Sequence, residues 1–92
     1  MANVLTSQPI KLDTTGATSA ITTPINITAI AVKPSAASWE VVLNVSDGGS
    51  RVYSNFGADK RGDFIVFPKA ILVTGLYYQT GTNVEEVLVY KS

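Results

Sequence analysis

Residues 39–45 carry the cleanest alternation in the chain. Trp39, Val41, Leu43 and Val45 fall on one side, Glu40, Val42 and Asn44 on the other. A period of two sends successive side chains to opposite faces, so the segment reads as a strand with one buried face. Trp39 is the largest single block of burial on offer, on the order of 200 Å². Asp47-Gly48-Gly49 follows with residues that tolerate positive φ, which predicts a tight hairpin between 39–45 and 50–56.

The same reading extends along the chain. Residues 25–33 first alternate through Ile25, Ile27 and Ala29, then load the other side with Ile30 and Val32. That pattern suits a strand covered on both sides at one end. A polar loop at 57–62 leads to a short apolar strand, 64–67, which Pro68 is expected to stop. Two further apolar runs, 71–78 and 84–90, flank the turn-rich 79–83 and predict a closing hairpin. Residues 17–23 are weakly strand-like. The expected fold is all-β: a small antiparallel β-sandwich or jelly-roll-like domain of seven or eight strands. Its expected core is Ile27, Trp39, Val41, Leu43, Ile65, Phe67, Val73, Leu76, Val87 and Val89.

Sliding the chain by 46 positions lays Ile25 on Ile71, Thr28 on Thr74, Glu40 on Glu86 and Val41 on Val87. The match suggests an internal duplication of a hairpin, 25–43 and 71–89. Any two buried hairpins share Ile, Val and Thr alternation, so chance similarity is the competing explanation.

The N-terminus departs from this regularity. Residues 3–12 are extended and apolar at Val4, Leu5, Ile10 and Leu12, but Pro9 interrupts them, and the turn signal 13–16 forms no tight hairpin. The expected organisation is therefore an extended N-terminal arm or edge strand, 1–12, followed by one β-sandwich domain, 13–92. The arm is expected to cover a neighbour's sheet edge, so Val4, Leu5, Ile10 and Leu12 are candidate interface residues. Tyr77 and Tyr78 join them, because adjacent strand residues face opposite ways and one tyrosine must meet a surface or a partner.

Composition narrows the chemistry. In 92 residues there is no cysteine and no histidine, which removes disulfides, thiolate metal sites, the thiol nucleophile and the most common general base. The seven acids are scattered, and Glu85-Glu86 points to opposite faces of a strand, so no carboxylate pair forms. Asp59 and Asp63 flank a loop that also holds Lys60 and Arg61, whose charges oppose a dication. Catalytic, cofactor and metal sites are not expected. Seven basic residues balance seven acids, so a nucleic-acid footprint is not expected. Hydrophobic content of 46% and charged content of 15% leave little to oppose association, which points to a homo-oligomer or a lattice-bound subunit. No run approaches the ~20 apolar residues of a membrane span, and the N-terminus does not read as an export signal. Arg61-Gly62-Asp63 spells an adhesion tripeptide, and a turn is the plainer reading of it.

The run ILVTGLYY at 71–78, the turn 80–83 and the ending VLVY at 87–90 resemble the small all-β virion proteins of tailed bacteriophages. The likeness is one of texture and runs from about Ile25 onward, with no diagnostic motif. It implies a non-catalytic structural component of a virion, made in the host cytoplasm. The first expectation is a capsid decoration (cement) protein bound to the major capsid or another virion protein. The alternatives are a head–tail or tail accessory protein, or a receptor- or carbohydrate-binding module. Exposed aromatics should separate these: spread over a flat face in a lattice protein, clustered at one loop end in a receptor module.

Overall fold

A computed structural model describes residues 3, 5, 8–16 and 21–91. Among the described residues there are seven strands: β1 (Ile10–Leu12), β2 (Ile25–Pro34), β3 (Trp39–Asn44), β4 (Arg51–Gly57), β5 (Asp63–Val73), β6 (Tyr77–Thr82) and β7 (Val84–Lys91). They form a four-stranded sheet in the order β1-β7-β2-β5 and a three-stranded sheet in the order β4-β3-β6. Every pairing is antiparallel. The two sheets enclose one core, with Ile10, Leu12, Ile27, Ile30, Val32, Val87 and Val89 from the first facing Trp39, Val41, Leu43 and Tyr78 from the second. The fold is a small all-β sandwich, as the alternation predicts.

The hairpin of β3 and β4 forms as expected, with Leu43 opposite Tyr53 and Val41 opposite Asn55. Gln79 clamps its turn by accepting from the Gly48 N–H (2.8 Å) and from the Asn44 amide (3.3 Å). The closing hairpin does not form. β6 pairs with β3 in the three-stranded sheet, whereas β7 inserts between β1 and β2 in the other. The duplicated segments are consequently not equivalent hairpins. Residues 25–43 leave the four-stranded sheet for the three-stranded one, and the stretch from β6 to β7 makes the return crossing. Both are arches between sheets, run in opposite senses. Their corners meet: Asn83, at φ 54°, donates its amide to the carbonyls of Ala37 and Ser38, both at 3.2 Å.

β5 also departs from expectation, since it runs through Pro68 to Val73. It is an edge strand, where a residue without an N–H is tolerated. Between the pairs Ala29↔Val66 and Ile27↔Ile71, residues 67–70 stand against Thr28 alone in a wide bulge. Ile65 is 36% exposed and Phe67 only packs against the core, contrary to their expected burial. β5 is covered along only part of its length, with Val73 in the core and Phe67 and Ile71 packed against it.

The described N-terminal residues pack on the chain itself. Ile10 and Leu12 are fully buried in the chain's own core, opposite Val89 and Val87. Side-chain amides supply the pairing that Pro9 cannot. Gln8 accepts from the Lys91 N–H (3.0 Å) and donates to the Lys91 carbonyl, which continues the ladder between β1 and β7 by one step. Asn3 accepts from the N–H groups of Asp13 (2.7 Å) and Thr14 (2.9 Å), closing the turn after β1. β1 is an edge strand of the domain itself.

Candidate functional site

Of the six candidate interface residues, Ile10, Leu12 and Tyr78 lie in the core and present no side chain to a partner. Leu5 is half-buried against that core, and Val4 lies outside the described residues. Tyr77 is half-buried at the rim of a cleft of about 390 Å³ with Ile21, Val45, Asp47, Gly75 and Leu76. The six are thus not one surface. What alternation missed at Tyr78 is the bulge at Gln79, which pairs Leu43 with Tyr78 and turns the ring inward.

The adhesion tripeptide is tied down. Gly62 has φ 76°, and a Cβ there would meet the Val32 carbonyl oxygen at 2.1 Å, so only glycine fits. Asp63 points inward between the sheets, where its carboxylate accepts from the Tyr53 hydroxyl and from the Asn55 amide (2.8 Å). Burial and that hydrogen bond push the Tyr53 phenol up to about 12. Arg61 is turned toward Asp59, 3.7 Å away. This geometry stitches β4 to β5 across the open side of the sandwich and offers no free carboxylate to a receptor. Among the described residues no three acids gather as metal ligands, and no helix is long and apolar enough to cross a membrane.

Exposed apolar surface gathers elsewhere. Phe64, Val66 and Leu72 are 61%, 59% and 68% exposed, all on β5. Phe64 and Val66 stand opposite Ala31 and Ala29, which in turn stand opposite Leu88 and Tyr90 on β7. Directly opposed residues share a face. Their neighbours Ile30, Val32, Val87 and Val89 fill the core, so this set faces outward. The Phe64 and Tyr90 rings meet edge to face across β2, with centroids 6.2 Å apart. The result is an apolar plateau over three strands. Its flanking charges are paired, Lys11 with Glu86 at 3.5 Å and Lys33 with Glu85 at 3.0 Å.

Neither family models nor curated proteins nor solved structures yield a match to this chain.

Proposed function

We propose that the chain is a non-catalytic structural component of a bacteriophage virion, a capsid decoration protein that docks through the outer face of its four-stranded sheet. The observation that carries the reading is the placement of exposed apolar side chains. Phe64, Val66 and Leu72 are exposed, with Leu88 and Tyr90 half-buried beside them, and all lie on a sheet face rather than at one loop end. An apolar face whose flanking ion pairs are closed suits repeated docking on a lattice, where burial drives binding. Zero net charge and the likeness in texture agree with it. The test is mass spectrometry of purified virions of the phage that encodes the chain. The expected result is a copy number commensurate with the capsid lattice. Recovery only from the lysate, with none in particles, ends the proposal.

A second reading has one specific observation behind it. Phe56 is 80% exposed on the outer side of β4, between two shallow hollows that Glu40, Arg51 and Ser54 help to line. A bare ring beside polar groups is what a carbohydrate- or receptor-binding module presents. Glycan binding abolished by Phe56→Ala and untouched by Val66→Glu would favour this reading over the first.

A further inference from the structure

The face opposite the plateau is built differently. We infer that the outer face of the three-stranded sheet binds a linear, neutral oligosaccharide, laid across the Phe56 ring with sugar units in the hollows on either side. The inference rests on the second reading above and does not need the first. A chain docked through its four-stranded sheet turns this other face outward.

Strand register assembles the site. Phe56 on β4 stands opposite Glu40 on β3, and Glu40 stands opposite Thr82 on β6. The next row is Ser54, Val42 and Thr80. Directly opposed residues share a face. Trp39, Val41 and Leu43 alternate with these positions and fill the core, so both rows face outward. The Phe56 ring is 80% exposed. It lines two hollows, one of about 610 Å³ beside Ser38 and Ala58 and one of about 300 Å³ beside Arg51 and Ser54, and Glu40 lines both. Volumes of this order are those of small-ligand sites. One ring shared by two hollows requires a ligand that continues past the ring on each side.

The polar groups select the class of ligand. Among the described residues Glu40 closes no ion pair, and Arg51 reaches only the Ser54 hydroxyl, at 3.5 Å. A carboxylate only accepts and a guanidinium only donates. An apolar partner would strip water from both and return nothing. Sugar hydroxyls donate to the one and accept from the other, while the C–H face of the sugar ring covers Phe56. Opposite charges on one small hollow give no net attraction to a polyanion or a polycation, which leaves a neutral chain. A peptide adding to the β4 edge is the weaker alternative. The Phe56 N–H already donates to the Asn55 side-chain oxygen at 2.8 Å, so one rung of that edge is closed.

An array of neutral glucans, mannans, galactans and chitin oligomers, with sulfated and sialylated glycans beside them, tests the inference on the intact chain. Titration calorimetry then follows the best neutral series from monosaccharide to tetrasaccharide. Affinity is expected to rise by at least about tenfold along that series. Phe56→Ala and Glu40→Ala should each weaken tetrasaccharide binding by at least about tenfold. Phe56→Tyr keeps the ring and should keep the binding, and Val66→Glu, on the opposite face, should leave it unchanged. Both altered side chains are exposed, and circular dichroism confirms that each variant folds. A wild-type chain that binds no glycan overturns the inference. If Phe56→Ala then abolishes binding to a protein receptor, the second reading survives without it. A monosaccharide bound as tightly as the tetrasaccharide, or a preference for sulfated or sialylated chains, keeps the glycan reading and removes the linear, neutral ligand. Glycan binding indifferent to Phe56→Ala sinks both.

Discussion

Tyr53 and Tyr78 hold their protons for different local reasons. Burial raises both, and for Tyr53 the hydrogen bond to Asp63 adds to it, so each phenol is pushed up from 10.0 to about 12. A group raised in the folded state stabilises fully below its unfolded value, and that stability is lost as the pH climbs through the folded value. Stability should therefore fall between pH 10.0 and about 12, with tyrosinate absorbance appearing together with unfolding. Tyr53→Phe should make that fall shallower by one proton, as read from urea midpoints against pH. Gly57 makes a second residue-level case. A Cβ there would lie 2.5 Å from the Trp39 indole nitrogen, whose N–H donates to the Asp59 carbonyl at 2.8 Å. Gly57→Ala should cost about 1–3 kcal/mol through overpacking and should blue-shift or quench the tryptophan emission differently from wild type. An unchanged melting temperature and spectrum would count against it. Trp39 as the central core residue was legible in the sequence. Its hydrogen bond and the fit of Gly57 were not, because both depend on a loop folding back twenty residues away.

At the scale of elements, alternation located the strands well and their partners poorly. A period of two reports which side is buried, and a strand in a hairpin and one in an arch bury the same side. The difference lies in the corner. Asn83 adopts a left-handed φ of 54° and reaches Ala37 and Ser38, while the Ser35 N–H donates to the Asn83 carbonyl at 2.9 Å. This makes each arch the brace of the other. Asn83→Gly keeps the backbone and should lose roughly 0.5–1.5 kcal/mol, whereas Asn83→Ala should lose about 1 kcal/mol more through left-handed strain. Equal denaturation midpoints for the two variants would show that the backbone there is unstrained. β1 teaches the same lesson. Pro9 made the N-terminus look detachable, since no ladder continues through a proline. Nothing in the hydrophobic pattern signals that the Gln8 side-chain amide bonds the Lys91 backbone one step beyond the β1–β7 ladder. Ile10→Ala should cost roughly 2–5 kcal/mol in the isolated chain, the range for emptying a packed core position. Normal stability with only a loss of partner binding would restore the arm to an interface.

The whole molecule sets three strands against four, and β5 is covered along only part of its length. Val73 at one end is buried in the core, whereas Ile65 stays 36% exposed even though its opposite residue, Ile30, is fully buried. An all-β sandwich of this size was legible, because alternation and turn signals recur at short intervals. The plateau was not, because outward Phe64 and Val66 sit in a continuous apolar run that carries no period. That run reads as a strand buried on both sides, and only the strand order shows which side lacks a cover. Its energetics give the final prediction. An interface of apolar area with internally paired charges carries almost no long-range field, so screening has little to act on. Raising sodium chloride from low to half-molar should therefore leave the dissociation constant for docking through this face within about threefold, while sodium sulfate, which strengthens apolar burial, should tighten it. Dissociation that strengthened steeply as salt rose would mean that ion pairs across the seam hold the two surfaces together. In that case Lys11–Glu86 and Lys33–Glu85 would have to open toward the partner rather than stay closed within the chain.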